Sequence, residues 1–381
     1  MTTIAINAVS IREGGALVVL RELLLAMALL RPDWQWVVIT NLVARRQLPE
    51  LGNTIFHVVG EGVLRSWRIR GWYETVLPRL LLQADTDLLF SQTNYLPWRR
   101  VCCPTLLLVQ HAGHFSPLFK SLTEAQLKSP LARLAWRMKG HWVRSSVRKA
   151  AAVTVQTHAL AKVLGEDTGV SAKNITVIPH GCGLIKTVNS DNGLPAPGQP
   201  LRIGYITKYG VQKNFLVLFK AIAILHEAGI PVQLVLTLDV NTNHSQQVLL
   251  QARQLGIADL IDNNGELNPP GIERLYQSLH LFVFASLCES FGFPQLEAMA
   301  CGLPLLIADT SSNREIAGNA GLLFAPADSE ALAEKIERLS HDDKFYQQQS
   351  QLSRTRAAAF SWQKSAMASV QLIESILMKA R

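Results

Sequence analysis

Residues 281–309 read LFVFASLCESFGFPQLEAMACGLPLLIAD, and this stretch decides the fold class. Leu281 to Ala285 is an apolar, aromatic-rich run of strand length without polar alternation, the pattern of a strand buried on both faces. A loop, Ser286 to Phe293, follows. Pro294 then stands where a helix places its first residue, a position at which the missing N–H costs nothing. Gln295 to Ala300 continue the helix, Gly302 ends it, and Pro304 to Ala308 read as the next buried strand. Two carboxylates bracket the loop: Glu289 at its lip and Glu297, assigned to the first helical turn. Gly292 between them lets the backbone come close to a ligand, and the N–H groups of the helix start are expected to face the same space. A helix start at the carboxyl end of a parallel strand favours an anion. Phosphate on those amides and hydroxyls on two acids together point to a sugar nucleotide.

Glu289-Ser-Phe-Gly-Phe-Pro-Gln-Leu-Glu297 resembles the E-x7-E signature of retaining glycosyltransferases of family 4, and Ala298-Met-Ala-Cys-Gly-Leu-Pro304 continues the likeness. Two glutamates at that spacing carry no weight alone; the FGFP insert within a strand–loop–helix–strand context does. The resemblance implies the GT-B fold, an α/β architecture of two doubly wound Rossmann-like domains facing across a cleft. It also implies a nucleoside diphosphate sugar as donor, with Phe291, Gly292 and Phe293 contacting it through backbone. Glu297 would hold the ribose, and Glu289 would act as a catalytic residue beside the sugar.

Composition agrees with such a chain. Its 381 residues are 48% hydrophobic and 17% charged, enough for two domains with separate cores and too apolar for disorder. Five cysteines (Cys102, Cys103, Cys182, Cys288, Cys301) show no metal-ligand spacing, and the odd count suits a reducing cytoplasm. No basic segment precedes the first apolar run. Ala16 to Leu30, the longest such run, is broken by Arg21-Glu22 and is shorter than the ~20 residues of a membrane span. The expected location is the cytoplasm, including the inner face of the cytoplasmic membrane. The net charge of +8 is unevenly placed: Glu61 to Ala150 holds fourteen Lys/Arg against five Asp/Glu, and no acid occurs from Ala125 to Gly165. That asymmetry implies an anionic partner, a membrane surface or a nucleic acid. The basic region lacks a zinc-finger, RNA-recognition or helix-turn-helix signature, so charge alone supports nucleic acid, and none is expected as partner.

Along the chain, Thr3 to Val9 reads as the first strand and Ala16 to Leu30 as the first helix, with Gly14-Gly15 forming an anion cradle between them. The resemblance places Gly15 beneath the donor. Gly60-Glu-Gly62 lacks the third glycine of a dinucleotide fingerprint. Strands are expected at Trp36–Thr40, Thr54–Val59, Leu88–Ser91, Thr105–Gln110, Ala152–Gln156 and Ile175–Ile178, with helices between most of them. Such alternation means a parallel sheet. Asp85-Thr86-Asp87 spells the metal-binding D-x-D of another glycosyltransferase fold, but it precedes a strand and so falls at the amino edge, away from ligands; it reads as a solvated turn. His111 ends the Thr105–Gln110 strand on the ligand side, where the resembled family carries a histidine near donor sugar and acceptor; His114 is the poorer candidate. Lys128 to Lys149 reads as a basic helix with Arg133, Arg137, Arg144 and Arg148 on one stripe. It is either a solvated face over a core or a membrane-surface face.

Ile175-Thr-Val-Ile-Pro-His-Gly181 resembles the family's domain-ending strand, with His180 where asparagine is usual. The polar, glycine- and proline-rich Asn189–Pro200 reads as the linker, giving a first domain over 1–188, a second over 201–360 and a last helix over 361–381 crossing back. After the strand Leu201–Thr207, Lys208 and Lys213 stand in a loop before the helix capped by Asn214, placed to clamp a diphosphate. The family has arginine at Lys208 and glycine at Thr207. The base is expected at the backbone near Leu267. The resemblance implies a retaining hexosyltransferase moving a GDP- or UDP-linked sugar, mannose included, to a glycan or lipid-linked glycan of a bacterial surface polysaccharide such as lipopolysaccharide. No metal or other cofactor is expected. A sugar-nucleotide epimerase or phosphorylase of the same fold is the alternative, and it would need more acid–base groups than His111.

Overall fold

A computed structural model describes residues 1–64, 68–183 and 193–380. The chain divides into two compact units, Met1–Gly181 with Ser361–Arg381, and Cys182–Phe360.

Among the described residues, the first unit holds seven strands: β1 (Thr3–Asn7), β2 (Gln35–Asn41), β3 (Thr54–Val59), β4 (Leu88–Ser91), β5 (Thr105–Leu108), β6 (Ala152–Val155) and β7 (Ile175–Val177). They pair in parallel in the order β3-β2-β1-β4-β5-β6-β7. The second unit holds β8 (Leu201–Tyr205), β9 (Val232–Leu236), β10 (Ile261–Asn263), β11 (Leu281–Phe284), β12 (Leu305–Ala308) and β13 (Gly321–Phe324), again parallel, in the order β10-β9-β8-β11-β12-β13. Each sheet therefore turns over once, between β1 and β4 and between β8 and β11. Ligands of such sheets gather at the carboxyl ends of the strands beside that turnover.

The apolar runs that mark the strands are buried as expected. Ile4, Ala5 and Ile6 of β1 and every residue of β11 and β12 are inaccessible to solvent. Burying one such side chain contributes ~1.5–3 kcal/mol, so these central strands anchor both cores. Several strands stop short of the sequence reading. Beyond Leu108, Val109 still donates to Thr154 O (3.0 Å), but Gln110 N turns to the Asn94 side chain (2.6 Å). The ladder ends where a side chain captures the backbone donor.

Asp85-Thr86-Asp87 does form a turn ahead of β4. It is tied in rather than merely solvated, because Asp87 Oδ2 accepts from Thr3 N (2.8 Å). Residues 189–192 of the polar stretch lie outside the described residues, and 193–200 contain no helix or strand. The last helix, Trp362–Ala380, packs on the helix Gly14–Leu30 within the first unit. His180 stacks on Trp362 with centroids 5.4 Å apart, Ser365 donates to Pro179 O, and a Cβ at Gly181 would fall 2.5 Å from Trp362 N. The chain's exit from the first unit and its return are thus fastened side by side. Burial holds the His180 imidazole neutral, its pKa pushed down to about 3.

Candidate functional site

At the turnover of the second sheet, the loops after β8 and β11 meet. Leu287 N donates to Gln212 O (2.9 Å), and Asn313 Nδ2 braces the second loop by donating to Ser286 O (2.9 Å) and Ala308 O (3.0 Å). This brings Lys213 Nζ to 2.5 Å from Glu289 Oε1, with only 13% and 17% of the two side chains exposed. Ser286 Oγ donates to the same carboxylate oxygen (2.6 Å), and the Tyr205 hydroxyl fixes the lysine backbone by donating to Lys213 O (2.7 Å). The ammonium also lies 5.7 Å from the Phe284 ring centroid. A half-buried ion pair of this kind is a charge held ready: either partner can be drawn to an incoming charged group if the exchange compensates it. Lys208 is unlike Lys213. It is 59% exposed and pairs with Glu266 at 2.8 Å on the surface.

Three expectations for this loop need correction. Asn214 does precede the helix Phe215–Glu227, but its side chain does not cap it. The residue takes a left-handed conformation (φ 51°) and donates instead to Pro326 O (2.7 Å). The start of the helix Phe293–Ala300 offers fewer amides than expected, because Pro294 has none and Gln295 N bonds to Gly292 O (3.2 Å). Glu297 lies one residue further into the helix than read, fifth from Phe293 and so just past the first turn. It is 6% exposed, and its Oε2 accepts from the Tyr276 hydroxyl (3.0 Å). A Cβ on Gly183 would fall 2.1 Å from its Oε1, so only glycine lets the chain pass there. Burial and the neighbouring Glu297 raise the Tyr276 hydroxyl well above its ordinary range, keeping it a donor. The same causes push the Cys182 thiol up to about 12.

Gly292, between the two glutamates, has φ +83°, and a Cβ there would meet Gln295 Nε2 at 2.6 Å. Phe291 is buried and packs edge-on against Phe293 and Phe360. The aromatic residues of the motif therefore shape the loop by packing, while their backbone lines it.

The family model described as "Glycosyl transferases group 1" matches residues 189–356, and the one described as "Glycosyltransferase Family 4" matches residues 14–184. The chain belongs to the family 4 glycosyltransferases. Among curated relatives, the serotype-specific mannosyltransferase WbdA of Escherichia coli is 30% identical over 149 residues, 39% of this chain but only 18% of WbdA. The D-inositol 3-phosphate glycosyltransferase of Paenarthrobacter aurescens is 26% identical over 347 residues, 87% of this chain and 81% of that one. Among solved structures, sucrose-phosphate synthase of Thermosynechococcus elongatus aligns over 100% of both chains with a TM-score of 0.75 at 19% identity. The fold is GT-B.

The first-unit candidates sit on the carboxyl edge of their own sheet. Gly15 is exposed at the start of the helix Gly14–Leu30, where the left-handed φ of +67° belongs to Gly14. His111 is exposed just before the short turn Ala112–His114, its ring 5.3 Å from His114. His114 is buried and stacked on Trp136 at 4.5 Å. Burial foremost, then His111 and Arg144, push its pKa down to about 3, so it stays neutral. Leu267 is exposed in the loop beyond β10, following Gly265 at φ +67°. Ser286, Tyr276 and Asn313 escaped the sequence reading. A serine directly after a buried strand was a usable signal for the first; Tyr276 reads only as one more apolar position of an amphipathic helix.

Proposed function

We propose that this family 4 glycosyltransferase is a retaining hexosyltransferase. It moves a sugar from a GDP- or UDP-linked donor to a glycan or lipid-linked glycan in the assembly of a bacterial surface polysaccharide. The observation that carries the reading is the half-buried Lys213–Glu289 pair at the turnover of the second sheet, its carboxylate the first glutamate of the E-x7-E motif. The donor diphosphate takes the Lys213 ammonium from Glu289. The released carboxylate then faces the sugar, where it stabilises positive charge developing on the ring. Lys208 leaves Glu266 to reach the outer phosphate as a point charge. Glu297, set by Tyr276, receives the ribose hydroxyls; the Phe291–Phe293 backbone and Leu267 complete the donor contacts. The acceptor lies by Gly15 and His111. The departing phosphate accepts the acceptor's proton on the same face, so orientation and charge stabilisation do most of the work. Lysine charge serves where other enzymes use a divalent cation. Mannose is the first sugar to try, because the relative WbdA is named a mannosyltransferase.

The test is a panel of UDP-, GDP-, TDP- and ADP-sugars offered to the purified protein, with turnover and the anomeric configuration of the product read by proton NMR. Turnover of one donor with its configuration kept is expected. An inverted product would overturn retention, and no binding of any member would overturn the function.

A peripheral place on an anionic membrane belongs to the same proposal. The helix Pro130–Lys149 presents Leu131 (77% exposed), Leu134 (57%) and Met138 at spacings of three and four, beside exposed Arg133 and Arg137. Apolar side chains flanked by cations suit an interfacial helix. Arg144 and Arg148, further along the same stripe, are taken up by the protein itself, as Arg144 binds Asp167 (2.5 Å) and His114 O (2.6 Å), and Arg148 binds Thr168 O (3.0 Å). Among the described residues no helix is long and apolar enough to cross a membrane. Sedimentation with anionic vesicles should be lost on Leu131→Asp with Leu134→Asp; equal sedimentation with neutral vesicles would refute the charge component.

A further inference from the structure

We infer that Gln92 is a specificity-determining residue for the acceptor, its carboxamide binding two neighbouring hydroxyls of a neutral, polyhydroxylated ring. The inference rests on the proposal that the acceptor lies over the first unit. Gln92 follows β4 directly, and β4 lies beside β1 where the first sheet turns over. It is 1% exposed, yet among the described residues neither its Oε1 nor its Nε2 meets a hydrogen-bond partner. Buried amides are almost always paired, so one left open asks for a reason.

Its chain neighbours Ser91 and Thr93 are engaged elsewhere. Asn7 Nδ2 donates to Tyr73 Oη (3.0 Å) and Ser91 Oγ (3.1 Å), and the Tyr73 hydroxyl lies 2.6 Å from Thr93 Oγ1. The main chain of Gln92 is fixed on both sides: its N–H donates to Asn7 O (2.9 Å), and its carbonyl accepts from Gln110 Nε2 (2.9 Å). At the end of β6, Gln156 Nε2 donates to Val109 O (3.1 Å), while among the described residues its Oε1 meets no partner. Three glutamines thus stand at the carboxyl ends of β4, β5 and β6, two of them bridging strands. The first is held rigidly by its backbone with its side chain unused.

The chemistry of that side chain limits the ligand. A carboxamide sets a donor beside an acceptor, which matches adjacent ring hydroxyls, each able to give and take a proton. It carries no charge, so it neither attracts a phosphate nor compensates an amine. Pyranosides and cyclitols are the class that fits. A site built to bond a hydroxyl pair discriminates strongly, because a ligand without it leaves the amide buried and unpaired.

The experiment uses the full chain and Gln92→Met, which keeps length and shape without hydrogen bonding. Binding of methyl α-D-mannopyranoside and of myo-inositol is read by saturation-transfer NMR and calorimetry, with UDP and GDP as controls and the thermal midpoint alongside. We expect Gln92→Met to melt at or above the wild type, to bind UDP or GDP unchanged, and to bind the better ring probe about tenfold more weakly or worse. Gln92→Asn, which keeps the amide but shortens its reach, should lose the same affinity while folded. Unchanged ring affinity in either folded variant overturns the assignment. Wild-type protein that binds UDP or GDP but neither ring probe also overturns it and leaves the donor reading standing. Failure to bind both nucleotides would instead overturn the proposed function.

Discussion

The two sheets turn over at equivalent places, yet their carboxyl edges are made of different chemistry. At the second edge, Lys213, Glu289 and Ser286 form a charged group in which each partner answers another. At the first edge, the buried groups are neutral: Asn7, Tyr73, Ser91, Thr93, Gln92, Gln156 and an imidazole that stays uncharged down to about pH 3. On the proposed reading, each edge mirrors what it binds. A diphosphate needs countercharge that can change hands, whereas a sugar acceptor needs fixed donors and acceptors without net charge.

That contrast can be broken by substitution. The largest effect expected is on the second edge: Glu289→Gln should lower kcat by ~10²-fold or more, comparable to losing one electrostatic stabiliser of a transition state. If the glutamate were only a fold contact, the variant would melt earlier while its folded fraction kept normal kinetics. Next comes Lys213→Ala, which should weaken UDP or GDP binding by roughly 1.5–3 kcal/mol, the range of a charge-assisted bond. Calorimetry showing unchanged affinity would remove Lys213 from the site.

Acid should act on the first unit more than on the second. His114 and His180 both lie there with folded pKa values of about 3, far below the 6.5 of a free histidine. Between those values the unfolded chain binds protons that the folded chain refuses, so stability is full above pH 6.5 and falls as pH drops. Each histidine contributes a loss of ~1.4 kcal/mol per pH unit in that window. All eight tryptophans lie in the first unit, so their fluorescence follows its unfolding alone. His180→Asn, the family's usual residue, should flatten the pH dependence of that midpoint between pH 6.5 and 5; an unchanged slope would contradict the assignment. The smallest effect belongs to Glu297→Gln, which should raise the donor KM several-fold with kcat nearly intact, since its contact exists equally before and during reaction. Tyr276→Phe should produce a weaker version of the same change.

How much of this was legible in the sequence follows from the same contrast. The second edge was readable because its function is concentrated in one contiguous loop between two unmistakable buried strands, and because charge in an apolar chain stands out. Even there, burial is not legible: Glu297 falls one residue further along the helix than its spacing from Pro294 implies, and it sits buried against Tyr276. The first edge was hardly readable. Gln92, Gln110 and Gln156 lie 18 and 46 residues apart along the numbering of the chain and become neighbours only through strand pairing. The basic helix shows a third kind of limit. Helical periodicity correctly put Arg133, Arg137, Arg144 and Arg148 on one stripe, but the later turns of that stripe are covered by Asp167 and Thr168, a fact of packing that no spacing reveals.

The proposed sharing of Lys213 between Glu289 and the donor diphosphate sets how tightly nucleotide binds. It is tested most directly by titrating GDP and UDP calorimetrically into Glu289→Gln. Removing the carboxylate frees the ammonium and removes a negative charge from the site. Nucleotide binding as tight as in the wild type or tighter is therefore expected, in the same variant that loses its turnover. Nucleotide binding that weakens in step with the loss of kcat would contradict it.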